Sequence, residues 1–95
     1  MSRFRIIHSR RCGPDASEFD VEFLAGEVNP GEIFLCDDAG APFEFVIRSV
    51  EERAGAIMLS CINWVLSDGH LAGLVAESRP MKAAERKRYR KYLPD

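Results

Sequence analysis

Apolar and polar residues alternate with a period of two along much of the chain, which is the pattern of half-buried strands. In "FDVEFLA" the apolar residues Phe19, Val21 and Phe23 face one way, and acidic residues lie between them. "FRIIH" near the start and "FEFVIRSV" in the middle show the same alternation. In the second of these, Val46 and Val50 fall on the outer face, where the C-terminal segment can cover them. These segments predict strands that share one core.

Turn signals separate the apolar runs at short intervals: "CGPD", "NPG", "DDAGAP", "EERAG" and "SDG". The run "AIMLSCINWVL" is nearly all apolar, and we predict a central strand there because Gly55 precedes it and Gly69 follows it. "HLAGLVAE" is predicted to be the last strand, with Gly73 marking a bulge or bend inside it. Short strands at spacings of ~8–12 residues predict a sandwich or barrel.

The end of the chain changes character after Pro80, where "MKAAERKRYRKYL" is rich in helix-forming residues. Proline is tolerated in a first helical turn, so we predict a helix that Ser78 or Arg79 caps. Only two large apolar side chains lie on its predicted face, which we expect to dock weakly or not at all. Four residues form that face: Met81, Ala84, Arg88 and Tyr92.

The 95 residues are enough for one domain. We predict an all-β fold over residues 1–79, a small closed or nearly closed antiparallel β-barrel of about six strands with Greek-key character. A short basic helix or tail follows over residues 80–95. An OB-like or other small Greek-key barrel is the alternative topology.

The stretch "GEVNPGEIF" contains the strongest turn signal. Pro30 and Gly31 fit the two central positions of a type II turn, because glycine adopts the required positive φ without strain. Gly26 stands where the preceding strand must bend or bulge. Val28 and Ile33 are predicted to be core residues, so the order is strand, glycine, short strand, turn and strand.

This order resembles the second-domain β-barrel of translational GTPases such as elongation factor Tu and initiation factor two. The similar segments are "LAGEVNPGEIFLCD", "FEFVIRSVEE" and "DGHLAGLVAES", and the resemblance covers about residues 3–79. It implies a translation-protein-like barrel alone, since the sequence contains no P-loop for a GTPase domain. In that family the barrel contacts the GTPase domain, the ribosome or the end of a charged tRNA, so the resemblance implies a binding role.

A net charge of −2 conceals a strong partition along the chain. Residues 1–12 contain four arginines and no acid, residues 13–78 contain thirteen acids and two arginines, and residues 79–95 contain seven cations and two acids. Two interpretations stay open at this point. The basic ends face RNA, or the tail packs on the acidic barrel of its own chain.

We therefore predict a non-catalytic binding module that contacts protein or the translation machinery. The alternative is an RNA-binding module that works through its basic N- and C-terminal segments, with an affinity that falls steeply with salt. A homodimer built through exposed strand edges is compatible with both. The predicted contact residues are Arg3, Arg5, Arg10, Arg11, Lys82, Arg86, Lys87, Arg88, Tyr89, Arg90, Lys91 and Tyr92.

Reactive residues are few, and no enzyme activity, metal or cofactor is predicted. His8 and Cys12 have no second pair of ligands nearby in sequence, although zinc needs four ligands or three and a water. Cys12 lies in an arginine-rich turn, which favours a lowered thiol pKa. Cys36 and Cys61 are expected to be small buried residues. Trp64 is expected in the core or as a half-buried lid, and the alternative is an exposed ring that anchors a partner.

Localisation is predicted to be cytoplasmic. Three cysteines at wide spacing are not a disulfide framework, and the N-terminus lacks the apolar stretch of a signal peptide. No apolar run approaches the ~18 residues that span a bilayer, so no membrane partner is expected.

Overall fold

The computed structural model describes residues 1–93 and is a closed barrel of six antiparallel strands with a short C-terminal helix. The predicted fold class is thereby confirmed. The strands are β1 (Ser2–Arg11), β2 (Ala16–Gly26), β3 (Glu32–Asp38), β4 (Ala41–Arg53), β5 (Ala56–Ile62) and β6 (Val75–Pro80). The helix α1 spans Ala83–Tyr89, and a 3₁₀ turn over Arg90–Tyr92 continues it.

The strands follow the order β1-β2-β5-β4-β3-β6 around the barrel, and β6 pairs with β1 to close it. Three pairs of neighbours are hairpins, β1–β2, β3–β4 and β4–β5, whereas the β2–β3 and β5–β6 connections join strands that are not adjacent. These two crossings produce the Greek-key character. Each strand has a neighbour on both sides, but the pairing does not run the full length of the longer strands: β4 pairs with β3 over residues 41–46 and with β5 over residues 46–53. The homodimer built through strand edges stays a prediction.

Four phenylalanines fill the barrel interior. Phe4, Phe19, Phe34 and Phe45 are at most 1% exposed. The ring centroids of Phe19 and Phe45 are 4.8 Å apart, and Phe34 stacks on Phe45 at 5.1 Å. The period-two alternation predicted this inward face, because successive side chains of a strand point to opposite sides of the sheet.

The Pro30–Gly31 turn forms as predicted. The backbone N–H of Glu32 donates to the carbonyl of Asn29 at 3.1 Å, and Gly31 has a φ of 94°. Val28 is buried against the barrel interior. Ile33 is also buried, but it belongs to a second apolar cluster outside the barrel wall.

Gly26 ends β2 with a φ of 70°, in a place where a Cβ atom would collide with the carbonyl oxygen of Met1. We expect Gly26→Ala to lower the free energy of unfolding by about 1–3 kcal/mol, since the left-handed conformation alone costs ~1–2 kcal/mol for a residue with a side chain. Gly40→Ala is the control, because Gly40 has a φ of 90° with open space around it. Urea denaturation of both variants measures the difference, and equal losses would contradict the collision at Gly26.

In the β5–β6 region, two strand boundaries differ from the prediction. The predicted central strand ends at Ile62 rather than continuing to Leu66, because Asn63 has a φ of 80° and turns the chain. The predicted strand from His70 begins at Val75, since Leu71 and Gly73 also have positive φ values and form turns. Two core residues in the loop between these strands, Val65 and Leu71, are buried against the barrel interior.

Buried serines fix this loop to the barrel. The hydroxyl of Ser17 donates to the carbonyl of Asn63 at 2.9 Å and accepts the N–H of Val65 at 2.8 Å. The hydroxyl of Ser9 donates to the carbonyl of His70. These hydrogen bonds satisfy backbone groups of the loop that would have paired with a neighbouring strand if the segment were extended.

Candidate functional site

The helix α1 starts differently from the prediction. Pro80 is the last residue of β6 and not part of the first helical turn. The Glu85 carboxylate accepts the N–H of Lys82 at 2.8 Å, and it also accepts two bonds from the Arg79 guanidinium at 2.7 and 2.8 Å. Glu85 therefore joins the end of β6 to the first turn of the helix.

The helix packs on the barrel, so the expectation of weak or absent docking is wrong. Met81 and Tyr89 are each 7% exposed, and they lie against the outward-facing Ile33, Val46 and Ile62. The buried positions are 81, which precedes the helix, and 85 and 89, which lie one helical turn apart within it. Of the predicted face, Met81 and Tyr92 pack in the apolar cluster, whereas Ala84 and Arg88 are exposed. The sequence pattern hid the buried positions because the middle one is a glutamate. As predicted, Val46 lies under the C-terminal segment, whereas Val50 stays exposed.

Two polar contacts hold the helix at its far end. The side-chain amide of Asn63 donates to the hydroxyl oxygen of Tyr89 at 3.0 Å and to the backbone carbonyl of Glu44 at 2.9 Å. Arg88 forms an ion pair with the Glu44 carboxylate at 2.8 Å. The tail thus packs on its own barrel, and Tyr89 is a structural anchor rather than an exposed ring.

A groove of about 850 Å³ opens between the helix and the barrel. Its rim on the barrel side comes from the Pro30–Gly31 turn and from β4, and its other side is the helix. The groove is lined by Pro30, Gly31, Glu32, Ile47, Arg48, Pro80, Met81, Arg86, Lys87, Arg90 and Leu93. We call it the basic groove.

Four cations line the basic groove, and an irregularity in β4 supplies one of them. The β4–β5 register shifts between Ile47 and Ser49, so Arg48 occupies a bulge, a feature that re-aims side chains at sites. Arg86, Lys87 and Arg90 come from the helix and the 3₁₀ turn. Over residues 1–93, none of the four is in an ion pair.

Among residues 1–93, one carboxylate, that of Glu32, lines the groove, and both of its oxygens are engaged. One oxygen accepts the N–H of Asn29 at 3.0 Å, and the other lies 3.3 Å from the Met1 ammonium group. Glu32 is 8% exposed. The charge that the groove presents to a ligand is therefore strongly positive.

The twelve predicted contact residues divide into three groups. The groove contains Arg86, Lys87 and Arg90. Four others have internal roles. Arg10 pairs with Glu18 and Asp20, Arg5 lies 3.8 Å from Glu22, Arg88 pairs with Glu44, and Tyr89 is buried. The remaining five lie outside the groove lining: Arg3, Arg11, Lys82, Lys91 and Tyr92.

Trp64 is 43% exposed and is not in the core. The Arg11 guanidinium lies 5.2 Å from the centre of its ring, within the range of a cation–π contact. The residue before it, Asn63, turns the chain away from β5, and this turn moves the indole out of the barrel interior. The alternative that the sequence left open, an exposed ring, describes its position.

The three cysteines are free thiols, of which Cys36 and Cys61 are buried as predicted. The pKa of Cys12 is raised, mainly by desolvation and next by its hydrogen bond with Glu18, so the expected lowered pKa is wrong. Burial raises the pKa of Cys36 to about 11 and that of Cys61 well above its ordinary value. None of these thiols is activated as a nucleophile.

Within the described part of the chain, His, Cys, Asp and Glu residues form no group of three that could hold a metal ion. His70 lies 3.5 Å from the Asp38 carboxylate and edge-on to the Phe43 ring, on the barrel wall. No helix over residues 1–93 has the length and apolar character needed to cross a bilayer.

The Arg79–Glu85 pair makes stability depend on pH. The Arg79 guanidinium and the Lys82 N–H lower the pKa of Glu85 from 4.5 to about 2. Because the folded protein favours the charged form, the stabilisation is complete above the unfolded-state pKa and is lost as the pH falls towards 2. We expect the free energy of unfolding of wild type to be higher than that of Glu85→Gln at pH 6. This difference in unfolding free energy should shrink between about pH 5 and 2.

Urea denaturation across this pH range measures the gap. Glu52→Gln removes an exposed carboxylate and controls for the change in net charge. A gap between wild type and Glu85→Gln that stays constant from pH 6 to 2 would contradict the assigned role of Glu85.

In comparisons with known proteins, no family model matches the chain, and no curated protein or solved structure matches it. Functional inference for this protein therefore depends on the geometry and chemistry of the basic groove.

Proposed function

We propose that the protein is a non-catalytic binding module that contacts a partner protein through the basic groove. The observation that carries this proposal is the presence, in one open groove, of four cations without ion-pair partners in the described chain and an apolar floor. The groove volume of about 850 Å³ lies within the ~300–1,000 Å³ of typical ligand sites. Apolar contact supplies affinity in such a site, and complementary charge selects the partner.

Binding rather than catalysis is proposed because of the groove lining. Where the structure describes the chain, this lining contains no histidine or cysteine, and the carboxylate of Glu32 already accepts from Asn29 and faces the Met1 ammonium group. A general base or nucleophile needs a free group within hydrogen-bonding reach of the substrate.

Protein components of the translation machinery are the first partners to test. The resemblance to translational GTPase barrels includes Gly31 and Glu32, which line the groove. In that family the barrel serves as a contact surface. A partner from translation would extend the resemblance from fold to function.

RNA is the alternative ligand, and the unpaired cations favour it. The arrangement of aromatic residues does not favour RNA, because Tyr89 is buried and Tyr92 packs in the apolar cluster under the helix. Single-stranded RNA is usually bound by bases stacked on exposed aromatic rings. A protein partner needs no such rings.

Capture from an extract of cells that make the protein tests the proposal. The baits are wild type, the groove variant Arg86→Glu/Arg90→Glu, and the control Arg3→Glu/Arg5→Glu, which changes the net charge equally on the outer face of β1. Each capture is done with and without ribonuclease and read by mass spectrometry.

We expect wild type and the β1 control to retain the same proteins, and the groove variant to lose them, with no effect of ribonuclease. Capture that ribonuclease abolishes would establish the RNA alternative. A groove variant that captures the same proteins as wild type would contradict the proposed site.

A further inference from the structure

We infer that the basic groove takes a short acidic segment of the partner protein that also carries large apolar side chains. This inference rests on the proposed function, since it names the chemistry of the ligand at the same site. Charge complementarity, the groove floor and the closure of the barrel each support it.

The distribution of the cations predicts several carboxylates. Arg86 and Arg90 are one helical turn apart, so their positions on the helix wall are separated by about 6 Å. Lys87 adds a charge on the same wall, and Arg48 adds one from the barrel side. Cations spread over two walls match a segment with several acidic side chains better than one compact anion. Arginine pairs with carboxylates through two parallel bonds, which adds specificity.

The floor of the groove predicts apolar side chains in the ligand. Pro30, Pro80 and Leu93 provide an accessible apolar surface in the groove. A purely acidic ligand would leave this surface in contact with water. Met81 and Ile47 also border the groove, but Met81 is only 7% exposed and the Ile47 side chain is fully buried in the barrel core.

The closed barrel determines how such a segment binds. At the groove the strands already have two neighbours, and the carbonyl of Ile47 accepts the N–H of Gly31, so a peptide in the groove does not add as a further strand. The segment must therefore be recognised through its side chains. Acidic side chains reach the cations on the two walls, while apolar side chains cover Leu93 and the prolines.

The remaining surface selects a short acidic ligand over a long polyanion. Residues 1–78 contain thirteen acids and six arginines, a net charge of −7, so a long anionic chain that runs beyond the groove meets a predominantly acidic barrel. A nucleic acid extends past the groove, whereas a short peptide segment does not. The acidic body thus acts as a selectivity element.

Fluorescence anisotropy with labelled probes tests the inference on the full chain. The main probe is a short peptide of Asp and Glu with a central Leu-Phe pair. One matched probe has Gly-Gly in place of Leu-Phe, another has Asn and Gln in place of the acids, and an oligouridine of similar length represents RNA. The protein variants are Arg86→Glu/Arg90→Glu and the control Arg3→Glu/Arg5→Glu.

We expect the acidic Leu-Phe peptide to bind most tightly, and the Gly-Gly peptide to bind about ten- to a hundredfold more weakly, as the loss of one or two buried apolar side chains implies. The uncharged peptide and the groove variant should show no measurable binding, and the β1 control should bind as wild type does. Circular dichroism checks that each variant is folded.

Equal binding of the Leu-Phe and Gly-Gly peptides would overturn the apolar part of the inference and leave the proposed function intact. No binding of any peptide would overturn the inference, while the capture experiment separately decides the proposed function. Binding of the oligouridine alone would overturn both.

Discussion

Phe34→Ala should remove most of the stability of the protein. Phe34 is fully buried and contacts three other rings, with centroids of Phe4, Phe19 and Phe45 at 5.2, 5.0 and 5.1 Å. Truncating a buried phenylalanine costs about 3–5 kcal/mol, because apolar burial is lost and a cavity remains. A domain of this size has a total stability of roughly 5–14 kcal/mol. We therefore expect a partly unfolded variant at 37 °C.

Leu35→Ala is the matched control for this prediction. Leu35 is the next residue of β3, points away from the barrel interior and is 38% exposed. We expect it to lower the free energy of unfolding by less than about 1 kcal/mol. Urea denaturation with circular dichroism detection compares the two, and similar losses for Phe34→Ala and Leu35→Ala would contradict the assigned core.

Tyr89→Ala should detach the helix from the barrel and remove one wall of the basic groove. Tyr89 is the largest buried side chain of α1, and it also accepts a hydrogen bond from Asn63. An isolated helix this short is unstable in water, so α1 depends on its docking. We expect a loss of about 2–4 kcal/mol, rapid amide exchange over residues 83–90 and loss of acidic-peptide binding.

Tyr89→Phe separates the two contributions of this residue. It keeps the ring in the apolar cluster and removes only the hydroxyl, which costs about 0.5–1.5 kcal/mol. Helical amides should stay protected and peptide binding should be preserved. If Tyr89→Ala left amide exchange in the helix unchanged, the conclusion that Tyr89 holds the helix on the barrel would be wrong.

The barrel itself could be predicted from the sequence because its signals are local. The alternation through Phe19, Val21 and Phe23 shows which face is buried, and Pro30 with Gly31 specifies one turn. Each signal needs only a few neighbouring residues to interpret. The limits of β5 and β6 were less predictable, since Leu71 adopts a positive φ that is rare for its residue type, and Asn63 adopts one that asparagine tolerates but does not require.

The docked helix could not be predicted from its own sequence. Its anchoring depends on residues far along the chain: Ile33, Val46 and Ile62 outside the barrel wall, and Asn63 beyond β5. Glu85 is nearly buried in its pair with Arg79 at the end of β6. These groups come together only when the barrel is folded.

The basic groove was predicted in part. Helix cations were identified from the basic tail, but Arg48 was missed because a bulge in β4, not the alternation, gives it its position. Pro30 and Gly31 were interpreted as residues that only shape the backbone, although they also line the groove. A site formed by three segments that are far apart in the chain leaves no contiguous motif in the sequence.

The location of the bound ligand is the most direct test of the basic groove. Titration of ¹⁵N-labelled protein with the acidic Leu-Phe peptide, followed by two-dimensional NMR, gives this location residue by residue. We predict chemical-shift changes at residues 30–32, 47–48 and 80–93, with little change in β1 or around Trp64. Changes centred on Trp64, Arg11 and the outer face of β1, with the basic groove unaffected, would contradict this prediction.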